Sequence, residues 1–261
     1  NVHYYLGGGI LCQNESSPTL SNLIISDNNL KSYGFGDAIY CDENSNFTLK
    51  NSIVTKNSSG IWIHSSNCRI DSCLMVNNLG TGISLHTSSK LDLNRSLVAY
   101  NSSNSEPGAG VHCDYGSNGN IANSIIYGNE GSNGCWASGS GGVYMHVSKL
   151  KLVNSMIYNN FPNEVVFSGS TSCGPNFFTI THSDLKGGQN SIITNDNGTI
   201  NWLDGMKDYM PLFSDTTKYN FRTVQNCESI DAGTDFFVFE QDTITNIPSS
   251  DYSGKIGRAH V

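Results

Sequence analysis

GIWIHSSNCRIDSCLMVNN (residues 60–78) and GISLHTSSKLDLNRSLVAYN (residues 82–101) are two consecutive copies of one unit. Each runs through a Gly, an alternating apolar strand, a His, a small polar turn, a second alternating strand, a third short apolar run and an Asn. Ile61 matches Ile83, Ile63 matches Leu85, Ile70 matches Leu93 and Asn78 matches Asn101. Three strands this short give a unit no face it can bury alone, so it must stack on copies of itself. Each copy is read as one coil of an all-β solenoid, a single-stranded right-handed parallel β-helix.

The same pattern extends in both directions. Coils are read at residues 7–29, 36–57, 108–129 and 140–160, with looser copies at 162–188 and 189–213, about eight in all. One apolar column, Ile10, Ile39, Ile61, Ile83, Val111, Val143 and Val165, sets the register. A second is Leu20, Leu49, Ile70, Leu93, Ile121, Leu152 and Ile180. A third, Ile24, Ile53, Leu74, Leu97, Ile125 and Met156, is expected to point inward with the other two. It follows a row of small residues: Ser52, Cys73, Ser96, Ser124 and Ser155. The first column recurs at a minimal step of 22 residues, and longer steps need an insertion in a turn, which a solenoid tolerates. Asn28, Asn57, Asn78, Asn101, Asn129 and Asn160 close the coils. Asn accepts left-handed backbone, and stacked amides bond to one another, so this row is read as a structural ladder. The expected division is a β-helix over residues 1–213 and a capping segment over 214–261 packed on the last coil.

Composition agrees. Of 261 residues, 14% are charged, 27 are Gly, and the net charge is −8. Such a chain is poor in helix formers and rich in turn formers. No Lys/Arg cluster offers itself to a phosphate backbone, so no nucleic-acid partner is expected. No apolar run is long enough to insert in a bilayer. Low charge with abundant Asn, Ser and Gly points to an extracellular or cell-surface setting.

The strands GGGILC (7–12), GDAIYC (36–41) and GAGVHC (108–113), with the endings SLVAYN (96–101) and SIIYGN (124–129), resemble the right-handed parallel β-helix repeat superfamily. Its best-known members are pectate-lyase-like enzymes. MPLFSD (210–215), YNFRT (219–223), ESIDAGTD (228–235) and SGKIGR (253–258) resemble the closing segment of exported bacterial surface β-helix proteins. That resemblance implies a tail covering the last coil and a sorting segment nearby, and hence a module of a longer exported protein. The lyases bind calcium at clustered acids and use a basic side chain as proton acceptor. Lys50, Arg69, Arg95 and Lys151 fall near the second strand instead.

Alternation turns two further columns outward on the first strand. They contain Tyr40, Trp62, His112 and Tyr144 in one, and Asp42, His64, His86, Asp114 and His146 in the other. Flat aromatics beside polar groups suit a sugar, with its apolar ring face and hydroxyl edges. The plainer reading is a solvated strand face built from good β-formers. His64, His86 and Asp114 are the candidates for catalysis. Asp42 and Asp114 lie three rungs apart, about 14 Å, beyond the roughly 5–9.5 Å that paired-carboxylate glycosidases use, unless Asp37 or Asp71 folds in. His64 and His86 form a weak metal candidate; calcium and zinc are admissible, but no motif indicates either, and no cofactor is expected.

Of the eight Cys, Cys12, Cys41 and Cys113 read as core thiols, and Cys135 and Cys173, in insertions two coils apart, could be bridged. Asp231, Asp235, Asp242 and Asp251 read as turn acids. Phe236, Phe237, Val238 and Phe239 are expected to cover the final rung. The N-terminal edge shows no evident cap and calls for a preceding domain, a partner or end-to-end self-association. The leading functional expectation is a surface or fibre module that binds glycans through the aromatic/His face. The alternatives are a polysaccharide lyase or epimerase acting at the same face, and a self-assembling filament subunit.

Overall fold

The computed structural model describes residues 8–29, 38–104, 106–132, 139–170, 174–224, 233–234, 237–239, 242–244 and 247. Cys135, Cys173, Asp37, Asp231, Asp235 and Asp251 lie outside them, as do the side chains of residues 236–239.

Three parallel sheets run the length of a right-handed β-helix. The first stacks Ile10–Cys12, Ile39–Cys41, Ile61–His64, Ile83–His86, Val111–Cys113, Val143–Met145, Val165–Phe167 and Ile192–Ile193 in chain order. The second stacks eight strands, from Thr19–Ser21 to Gly198–Trp202, and the third seven, from Ile24–Ser26 to Asp184–Leu185. Register places like on like: Ile39, Ile61, Ile83, Val111 and Val143 are successive partners, as are Leu49, Ile70, Leu93, Ile121 and Leu152. Both columns point into the core. At Gly60, Gly82, Gly110 and Gly142 this stacking leaves no room for a side chain: a Cβ on Gly60 would sit 2.1 Å from the Gly82 carbonyl oxygen.

The third column departs from expectation. Inward on the third sheet are Ile25, Val54, Met75, Val98, Ile126, Ile157 and Leu185. Ile24, Ile53, Leu74, Leu97, Ile125 and Met156 point outward, and Ile24 is 73% exposed. The small residue before each run explains the reversal. Ser96 is buried and turned in; its hydroxyl donates to the Asn94 carbonyl at 2.7 Å and accepts from the Cys73 N–H at 3.1 Å. Ser124 and Ser155 repeat the pattern. Once the serine occupies an inward position, strict alternation turns the next residue out.

The outward column is buried over coils four to six because the C-terminal segment lies on it. Phe213–Asp215 and Asn220–Thr223 pair antiparallel. Phe213, Tyr219 and the fully buried Phe221 pack against Val76, Leu97, Ala99, Ile125 and Met156. Asn77 bonds to the Tyr219 hydroxyl, and the Tyr100 hydroxyl donates to the Thr216 carbonyl at 3.3 Å. The described part of the tail thus runs along the flank of the solenoid.

At the third corner each Asn donates its side-chain amide to the next Asn Oδ1, from Asn28 through Asn57, Asn78, Asn101 and Asn129 to Asn160, at 2.9–3.0 Å. The second amide proton goes to a carbonyl of the preceding coil, as from Asn101 to Met75 O. The left-handed residue of this corner is the one before the ladder position: Lys56, Asn77 and Tyr100 have φ 56°, 55° and 56°. Lys and Tyr serve there, so it is the amide-to-amide bond, not turn preference, that requires Asn.

Cys12, Cys41, Cys68, Cys73 and Cys113 are free and buried.

Candidate functional site

The first sheet's outward side carries the expected residues, and backbone register brings them together. Trp62 pairs with Ser84 and Tyr40, His64 with His86, and His112 with Tyr144. Between neighbouring rungs, His and Asp engage each other. His64 Nδ1 lies 2.9 Å from Asp42 Oδ1, and the Tyr40 hydroxyl donates to Asp42 Oδ2 at 3.1 Å. Thr87 Oγ1 closes the other end of His64, 3.1 Å from Nε2. One coil on, His86 Nδ1 lies 2.8 Å from Asp114 Oδ2, and the Trp62 indole stacks on the His86 ring at 3.9 Å and 15°. His112 meets Tyr144 edge to face, as His146 meets Tyr115.

The face is more enclosed than alternation alone implies. Trp62, His64 and Asp42 are half-buried, but Tyr40, Tyr144, His86, His112 and Asp114 are buried. Part of the cover comes from residues 102–104 and 106–107. The strand Ser102–Ser103 pairs with Glu130–Gly131, and Ser103 Oγ holds the Glu106 backbone at 3.0 Å on both sides. Glu106 Oε2 thereby sits 2.8 Å from His112 Nδ1. His112 Nε2 is 3.7 Å from Asp114. Periodicity could not reveal Glu106, which lies in an insertion. Asp71, by contrast, is engaged by Arg95 at 2.8 and 2.6 Å, at the end of the second sheet.

Electrostatics follow the pairs. Burial alone would raise the Asp42 carboxyl, but bonds from His64 and the Glu43 N–H outweigh it and hold it below the usual range. Glu106 behaves alike, with His112 and His86 overcoming its burial. Burial, with the Asp42 charge second, pushes the Tyr40 hydroxyl up. Burial lowers His146. In the His64 and His86 pairs Nδ1 faces a carboxylate, which fixes the ring orientation, and His64 Nε2 is engaged by Thr87. His86 Nε2 and Asp114 Oδ1 are both buried without a hydrogen-bond partner. His64 and His86 address different carboxylates, and among the described residues no group of three His, Cys, Asp or Glu is placed to hold a metal ion.

A family described as "Right handed beta helix region" matches residues 1–105. Among solved structures, the crystal structure of pectate lyase Pel9A is similar at 15% identity and a TM-score of 0.49, over 97% of this chain and 67% of that one. A search of the curated proteins finds no match.

Proposed function

We propose that this right-handed parallel β-helix is an extracellular surface module that binds a glycan along the outward side of its first sheet, over coils two to five. The observation that carries the reading is the half-buried Trp62, stacked flat on His86, whose imidazole is in turn anchored by Asp114. An aromatic plane fixed on a rigid strand offers a sugar ring face its apolar contact at little conformational cost. Asp42, His64 and Thr87 stand beside it with groups that match hydroxyl edges. Binding is favoured over a lyase or epimerase because those act beside a substrate carboxylate, and no Lys or Arg lies on the described strands of this sheet.

Binding of the chain to immobilised neutral, amine-bearing and acidic oligosaccharides tests the reading. Trp62→Ala should weaken binding at least ~10-fold, the loss of about 1.4 kcal/mol expected for an aromatic contact. Undiminished binding by a folded Trp62→Ala variant would overturn it.

A further inference from the structure

The face has a chemical sign that narrows its ligand. Three carboxylates serve it: Asp42, Asp114 and Glu106. The basic side chains nearby in sequence, Lys50, Arg69, Lys90, Lys149 and Lys151, stand on the strands of the second sheet. Its charge balance is therefore acidic apart from histidine.

One of its buried carboxylates has hydrogen-bonding capacity of the same sign to spare. Asp114 is 6% exposed and His86 9%. Asp114 spends one oxygen on His86 Nδ1 and leaves Oδ1 without a partner. The orphaned Asp114 Oδ1 is an acceptor in either state of its His86 partner, whose ring lies against Trp62. A buried acceptor without a donor is costly, so a ligand group that donates is favoured there and one that only accepts is not.

We infer that the glycan taken by this face is an amino-sugar chain, and that uronate chains are rejected. The inference rests on the glycan-binding reading above. An amine donates hydrogen bonds in either protonation state, and its ammonium form also complements Asp42, Asp114 and Glu106 and sits favourably on an indole face. A uronate brings an acceptor-only anion to a surface that already holds three.

The test is calorimetric titration at neutral pH with hexamers of glucosamine, N-acetylglucosamine and galacturonate. The expected order is glucosamine at least ~10-fold tighter than its acetylated form, with no galacturonate binding. Added salt should weaken the glucosamine complex, because the contact is between charges. Asp114→Asn should reduce the preference for the free amine. If that variant loses its fold by circular dichroism, Asp42→Asn, at the half-buried carboxylate, provides the same readout. Equal affinity for the free and acetylated hexamers, or galacturonate binding that Trp62→Ala abolishes, would overturn the inference and leave the glycan reading standing. Binding of none of the three, or binding that Trp62→Ala leaves intact, would remove that reading as well.

Discussion

Two polar stacks climb this solenoid, one turned in at the third corner and one turned out on the first sheet. The inner stack repeats a single residue. From Asn28 to Asn160 every amide finds a donor or acceptor on the next coil, and the row ends on the buried Glu164, which accepts from Asn160 Nδ2 at 2.6 Å. The outer stack is mixed. His64 pairs with Asp42 and His86 with Asp114, and His86 Nε2, Asp114 Oδ1, His112 Nδ1 and His146 Nε2 are left without hydrogen-bond partners. A uniform ladder closes on itself and serves stability; a broken one keeps hydrogen-bonding capacity for something else, at a cost in stability.

The largest effect should come from breaking the inner stack. Asn101→Leu leaves the Asn78 N–H and amide, the Met75 carbonyl and Asn129 Oδ1 short of partners in the core. At about 1–3 kcal/mol per buried orphan, with partial relaxation, the loss should be about 3–5 kcal/mol by urea unfolding. A loss below 1 kcal/mol would deny the ladder its structural role. Next comes the tail that covers the third sheet. Phe221→Ala should cost about 3 kcal/mol and open the chain between coil and tail to limited proteolysis. An unchanged cleavage pattern would count against the flank-packed tail.

The outer stack should behave in the opposite way. Replacing both members of its central pair, His86→Phe with Asp114→Leu, removes two orphaned buried polar atoms together with the groups that carry them. Unfolding free energy should stay within about 1 kcal/mol of the parent, or rise. A loss as large as that of Asn101→Leu would show that the outer pair is as structural as the inner ladder.

The smallest effects are in the pH dependence. Asp42 and Glu106 are held below the ordinary carboxylate range, so they contribute stability above that range and lose it as pH falls through their lowered values. Glu164 is raised, by burial first, against the opposing bonds from Asn160. Its contribution has the other sign: it is full when the carboxyl is protonated, below about pH 4.3, and is lost as pH rises through the raised value. Glu106→Gln should therefore lessen the acid-side loss of Tm, and Glu164→Gln should lessen the loss on going from pH 4 to pH 7. Parallel shifts in both variants would contradict the assignment.

Much of this was legible in residues 60–101. The Ile61 and Ile83 column, the Ile70 and Leu93 column and the opening Gly all follow from a repeat that must lie above itself. In the third run the inward residue is one position later than the conspicuous apolar column suggests. Leu97–Ala99 is apolar throughout, so hydropathy cannot choose between its two faces; the hydroxyl of Ser96, turned in toward backbone partners, makes the choice. The outward columns were also legible as residues, but not their enclosure. Glu106 reaches His112 from an insertion, and an insertion has no counterpart on the next coil to reveal it.

The amino-acid sequence by itself determined the period, the stacking register and the rows of like residues, because those depend on local alternation repeated at near-constant spacing. Only the tertiary structure decided which side of the third strand faces the core, where the tail lies, and that Asp114 and His86 are enclosed with an acceptor to spare. Those outcomes depend on single contacts that no repeated pattern encodes, such as Phe221 on Leu97, far apart in the chain, and Glu106, in an insertion, on His112.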